Sequence, residues 1–225
     1  NFALAVGPEI QYSLIDAPES VLGAGKYLIA TSLVSGYLKE LGFEDAEAAS
    51  KATLKTVAGS ELAGLRYQPV SDFYKDPEKF EIENAWQVLV GDYVTADDGT
   101  GIVHQAPAYG EDDQLLCSAA GIPTYVSVDE RGQFTSLIGP YQGQHVFEAN
   151  KPITQDLKAS GRLFRQASYE HSYPHCYRCK NPLIYKAVSS WFVEVTKIKE
   201  RMLELNQEIN WVPEHTKDGG FGKWL

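Results

Sequence analysis

Cysteine is scarce in this sequence: Cys117, Cys176 and Cys179 are the only three among 225 residues. Three thiols cannot build a disulfide framework. A Cys-x-x-Cys pair plus one cysteine among apolar neighbours fits a reducing compartment, with the cytoplasm as the expected location. Long apolar runs are missing too. The longest, such as Trp86-Gln87-Val88-Leu89-Val90, fall far short of a bilayer span, so no membrane association is expected. No basic, apolar, small-residue series opens the chain, so nothing marks a secretory signal. Asn1 is not an initiator methionine and opens onto a strand-like stretch, which leads to the expectation of a piece cut from a longer protein. Positive charge is in deficit, with 20 Lys and Arg against 30 Asp and Glu and a formal net charge of -10. Phosphate neutralisation needs clustered cations, which argues against a nucleic-acid module working alone. A domain that receives a nucleic-acid end delivered by another part of the same protein stays open. Repeats and low-complexity tracts are absent.

What is present is enough for a core: 44% of residues are hydrophobic and 12% aromatic, which excludes a disordered chain. Residues 10–15 read as a strand with one apolar face. Apolar residues from 20 to 41 follow helical spacing, and Gly42 supplies a stop. Strands are expected at 64–70, 87–95, 102–104 and 123–128, with turns at 97–101 and 129–132. Helices are expected at 112–120, closed by Gly121, at 149–160, ended by Gly161, and at 197–207; a strand region is expected at 184–195. Short strands with interspersed short helices predict an α+β fold whose core is a curled, β-barrel-like sheet with peripheral helices.

Chemistry concentrates at 98–113, Asp-Gly-Thr-Gly-Ile-Val-His-Gln-Ala-Pro-Ala-Tyr-Gly-Glu-Asp-Asp. Glycines let backbone approach a ligand, and Pro107 stiffens the loop behind His104. Three acids then arrive where a helix begins. Acids in a first turn are favoured by capping and by the helix dipole, which needs no function at all. His104, at a strand end, reads equally well as a satisfied core histidine. No Ser-His-Asp or Cys-His constellation is recognisable. Cys117 sits in the apolar run Leu115-Leu116-Cys117, as a buried inert thiol would.

Residues 99–113 resemble the signature of the editing domain of isoleucyl-tRNA synthetases, in the branch shared by eukaryotic cytoplasmic and some bacterial enzymes. His171-Ser172-Tyr173-Pro174-His175-Cys176-Tyr177-Arg178-Cys179, Ser190-Trp191-Phe192, residues 206–215 and the closing Gly219-Gly220-Phe221-Gly222-Lys223-Trp224-Leu225 extend the resemblance over nearly the whole chain. The valyl and leucyl relatives share the fold and the position of the final acid, so an editing domain of either is the near alternative. The resemblance implies hydrolysis of valine mischarged onto tRNA(Ile), and of the valyl-adenylate, by an oriented water. It gives Asp113 the catalytic role of pairing with the substrate's α-ammonium, a task suited to a carboxylate. It makes His104 a substrate-binding residue that crowds the side-chain site, and Asn1 a pocket residue. One methylene is worth only roughly 1–3 kcal/mol in a hydrophobic synthetic site, so a second, smaller sieve is needed; isoleucine–valine selection by this enzyme class is the standard instance of that general figure. The family carries a Thr-rich strand just before the asparagine that Asn1 matches. Without it the resemblance implies a half-open pocket and slow hydrolysis by residues 1–225 alone. The implied partners are the tRNA(Ile) 3′ end carrying valine and the rest of the synthetase chain.

Cys176 and Cys179 are half of a zinc site by spacing. His171 and His175 are poorly placed to complete it. In the resembled enzymes the partner cysteine pair lies upstream, so zinc is allowed in the full-length enzyme while editing needs no cofactor. Two further readings stand beside the hydrolase: a module that binds a tRNA 3′ end or a partner without chemistry, and a redox dithiol at Cys176 and Cys179. The domain reading is 1–185 as the editing domain and 186–225 as a segment returning toward the synthetase core.

Overall fold

A computed structural model describes residues 1–168 and 170–225. The chain divides into two compact units, Asn1–Ala187 and Val188–Leu225. The first holds the strands β1 (Ala3–Val6), β2 (Gln11–Ala17), β3 (Gly25–Ala30), β4 (Thr53–Ala58), β5 (Gln87–Val90) and β6 (Ile102–Gln105), with the helices α1 (Leu38–Leu41), α2 (Ala46–Lys51), α3 (Glu111–Ala119) and α4 (Val146–Ala159). The second holds α5 (Lys199–Glu208) and α6 (Gly220–Trp224).

Two three-stranded sheets form the centre of the first unit, in the orders β5-β1-β6 and β3-β2-β4. Strand β1 runs parallel to β5, with Ala3 opposite Gln87, and antiparallel to β6, with Leu4 opposite His104. It is short and made of small residues because Ala3, Ala5 and Val6 are all buried. Strand β2 is antiparallel to both its neighbours and bulges between Leu14 and Ile15 on the β4 side. The sheets meet at Tyr12, whose ring is fully buried. Its hydroxyl accepts from the Gly7 amide at 3.1 Å and donates to the Gly101 carbonyl at 2.6 Å. Beside it the Ala30 amide donates to the Thr100 carbonyl at 2.9 Å. Val6, Tyr12, Ala30, Val57, Leu62 and Val88 pack around this seam. The mixed α/β content expected from the sequence is present. The expected barrel is not: the sheets are joined at this edge without closing into a ring among the described residues.

The helix expected over 20–41 is instead β3, a 3-10 segment at Thr31–Tyr37 and the single turn α1. Glycines at 23 and 25 interrupt any helix there. The Tyr27 and Ile29 alternation, paired with Ile15 and Ser13, then places the segment in the sheet. The stop at Gly42 holds, in a left-handed C-cap at φ 81. At 64–70 the expected strand shrinks to one bridge, Arg66 to Gln87, ahead of Pro69. That at 87–95 ends at Val90, where the Val94 amide turns back to the Gly91 carbonyl. At 123–128 only Val128 bridges, to Phe134, and no strand occurs at 184–195 among the described residues. The expected helices at 112–120, 149–160 and 197–207 correspond to α3, α4 and α5.

Helix α3 is seated by Cys117, which packs with Phe2, Ala3, Ala85 and Ile122. Burying each such side chain contributes about 1.5–3 kcal/mol at most. This contact ties the helix to the start of β1 and so sets its first turn beside the end of β6. In the second unit a polar clasp does the holding. Buried Asn206 donates to the Lys217 carbonyl at 2.9 Å and accepts from the Trp211 indole at 2.9 Å, and Trp211 packs on Phe221.

Candidate active site

Strand β6 ends at Gln105 and α3 begins at Glu111, so His104 and the acidic first turn lie on either side of one short loop, residues 106–110. Glu111 and Asp112 are exposed, whereas Asp113 is half-buried. Asp113 bends back across the loop, and its Oδ2 accepts from the Ala106 amide at 2.8 Å. Its Oδ1 takes no hydrogen bond from the described residues. The carboxylate therefore closes the loop with one oxygen only.

His104 stands on the exposed side of β6, opposite Leu4. Desolvation of its ring by the surrounding atoms, then the positive charge of the Asn1 α-ammonium, lowers its pKa, opposed by the negative charge of Asp113. The two residues are thus in electrostatic reach. The alternating side chain, Gln105, is fully buried; it accepts from the Tyr93 hydroxyl at 2.6 Å and donates to the His104 and Val103 carbonyls at 3.2 and 3.3 Å. Burial, and then the charge of Asp113, pushes the Tyr93 pKa up to about 12. Asn1 sits before β1, where its side chain accepts from the Tyr67 hydroxyl at 2.6 Å and donates to the Ala3 carbonyl at 3.1 Å.

Asn1 and Ala106 open onto a cleft of about 140 Å³. Its other walls include Phe73, Tyr74, Trp86 and Tyr109. The Tyr109 hydroxyl is fixed by Ser127, at 2.8 Å from Oγ and 2.9 Å from the amide that donates to it. Of the three sequence-derived residues, Asn1 lines this cleft, while His104 and Asp113 flank the β6–α3 loop whose Ala106, Pro107 and Ala108 form part of its wall. Tyr67, Gln105 and Tyr93 were not foreseen, since nothing in the sequence pairs them with the loop. Burial, followed by the charge of Asp113, pushes the Cys117 thiol up to about 11, which suits an inert packing residue.

Cys176 and Cys179 lie elsewhere, in a tight turn closed by the Lys180 amide on the Cys176 carbonyl at 2.8 Å. Backbone amides of Cys179 and Arg178 donate to the Cys176 sulfur, and with the Cys179 thiol they lower its pKa. Such amide-to-sulfur bonds favour thiolate, as a metal knuckle requires. The His175 Nδ1 stands 2.8 Å from the Tyr173 carbonyl and the His171 Nδ1 2.9 Å from the Ser172 carbonyl. No group of three or more His, Cys, Asp or Glu that could hold a metal occurs among the described residues. Two thiols by themselves do not fit the four ligands that a structural zinc takes.

The family model of tRNA synthetases class I (I, L, M and V) matches residues 21–225. The chain belongs to this family. Aligned over its full length, it is 55% identical to the isoleucine–tRNA ligase of Leifsonia xyli subsp. xyli, 52% to that of Corynebacterium diphtheriae and 48% to that of Mycobacterium tuberculosis. It spans about a fifth of the length of these curated relatives, 21% of each. Within this synthetase chain, no described helix is long and apolar enough to cross a membrane.

Proposed function

We propose that this chain is the editing domain of an isoleucine–tRNA ligase, an aminoacyl-tRNA ester hydrolase that removes valine from tRNA(Ile). One observation carries the reading: Asp113 spends one oxygen on the amide of Ala106, a residue that lines the cleft, and its other oxygen takes no hydrogen bond from the described residues, within electrostatic reach of His104. The free oxygen pairs with the α-ammonium of the esterified valine and orients the carbonyl. His104 crowds the side chain, so that isoleucine, one methylene longer, does not seat. The aromatic cleft next to Asn1 takes the terminal nucleoside of the tRNA. A cavity lined by rings suits a planar base, which stacks with little demand on sequence. The raised Cys117 thiol supports attack by water rather than by a protein nucleophile. The partners in this reading are the 3′ end of tRNA(Ile) and the remainder of the ligase.

The test is Asp113→Asn in the intact ligase. An amide can still accept from the Ala106 amide through its carbonyl oxygen, so the loop stays closed while the charge disappears. Deacylation of valyl-tRNA(Ile) should fall by about 2–4 kcal/mol in transition-state stabilisation, roughly 30-fold to 1,000-fold, with isoleucine activation unchanged. An unchanged deacylation rate would remove Asp113 from the site.

A further inference from the structure

Gly110 is the last residue before α3, and its backbone at φ -150 and ψ 139 is extended, a conformation any residue adopts. What the position lacks room for is a Cβ. An ideal one would stand 2.9 Å from Asp113 Cγ, 3.1 Å from Oδ2 and 3.2 Å from Oδ1, so the atoms it meets all belong to that carboxyl group. The same carboxyl group is the one that folds back to the Ala106 amide at 2.8 Å. A side chain at 110 therefore needs no unusual backbone angle, and its nearest contacts are with that carboxyl group. It pushes on a flexible carboxylate, which yields by leaving its bond to Ala106.

We propose that Gly110 is a positioning residue for editing: its missing side chain keeps open the space in which the Asp113 carboxylate locks onto the Ala106 amide and presents Oδ1 to the substrate's α-ammonium. This rests on the editing reading above and adds a specificity for the amine. The anchored oxygen fixes the plane of the carboxylate, so the free oxygen is held where a cation bound in the pocket meets it. A carboxylate released from Ala106 keeps its charge but turns freely, and misplacement of this kind lowers rate without abolishing binding.

The experiment compares Gly110→Ala, Gly110→Ser and Asp113→Asn in the intact ligase. Two esters of tRNA(Ile) serve as substrates, one of valine and one of 2-hydroxy-3-methylbutanoate, which carries a hydroxyl in place of the amine. Both Gly110 variants should deacylate the valyl ester on the order of tenfold to a hundredfold more slowly. Both should handle the hydroxy-acid ester at the wild-type rate, since it has no ammonium to orient. Serine separates position from helix capping, because it is a better N-cap than glycine or alanine yet carries the same Cβ. Normal valyl-tRNA hydrolysis in Gly110→Ala, recovery in Gly110→Ser, or equal slowing of both esters would overturn the role of Gly110. If Gly110→Ala is normal while Asp113→Asn is inactive, Gly110 loses its role and the editing reading stands. If Asp113→Asn also hydrolyses the valyl ester normally, both Asp113 and Gly110 lose their roles; if the unaltered ligase does not hydrolyse the valyl ester at all, the editing reading itself falls.

Discussion

At the residue scale, the acids of the 111–113 run illustrate how one pattern serves two ends. The sequence alone allows all three to be helix-capping acids, and Glu111 and Asp112 remain exposed ones. Asp113 differs because it sits one position deeper and reaches a backbone amide outside its helix. No spacing rule announces that contact; it follows from the sharp loop that Pro107 and Gly110 allow. His104 was legible as a residue of interest from its place behind the glycines, and its surroundings add a property. Desolvation lowers its pKa, so the neutral ring is fully present above the ordinary histidine range, near pH 6.5. A neutral imidazole can crowd the valine side chain without repelling the ammonium beside Asp113. Replacing it tests the sieve. In the intact ligase, His104→Ala should bring hydrolysis of isoleucyl-tRNA(Ile) up by roughly 10-fold to 100-fold, the worth of one methylene. Single-turnover deacylation of purified isoleucyl-tRNA measures it, and a variant that still spares this substrate returns His104 to a packing role.

At the element scale, the sequence reads helices more faithfully than strands. α3, α4 and α5 each carry their own stop or periodicity, whereas β3 was masked by apolar residues whose spacing satisfies a helix as well as a strand. A strand's place is decided by its partners, and Tyr27 opposite Ile15 is not visible in local pattern. The same holds for Tyr12, which reads as one apolar strand residue but joins two sheets. Tyr12→Phe keeps the ring and leaves the Gly7 amide and the Gly101 carbonyl without their shared partner in the core. The expected cost is about 1–3 kcal/mol in unfolding free energy, read from the urea midpoint of the purified chain. An unchanged midpoint would show that water replaces the hydroxyl at this seam, which its full burial opposes.

At the scale of the whole molecule, charge decides how the chain meets its proposed substrate. A formal net charge of -10 repels a polyanion at long range, and this repulsion acts before any contact in the cleft. The cleft itself is lined by rings and small residues rather than by Lys or Arg. Affinity for the phosphate backbone must then come from the rest of the ligase, of which this chain spans 21% in its relatives. In the proposed reading the domain contributes recognition of the aminoacyl end, a few contacts against the many phosphates that a whole tRNA presents. Each phosphate neutralised elsewhere adds to affinity through counterion release, a term the cleft, lined without Lys or Arg, does not supply. In a filter-binding titration at 100 mM salt, an experimental condition set at roughly physiological strength, the 225-residue chain should therefore bind tRNA(Ile) at least ~100-fold more weakly than the intact ligase. Raising the salt should weaken the ligase steeply and leave the residual binding of the chain almost unchanged, because stacking in the cleft is little screened. Comparable affinities, or a steep salt dependence for the chain alone, would place a phosphate-binding surface within these residues and assign the domain a larger share of tRNA capture.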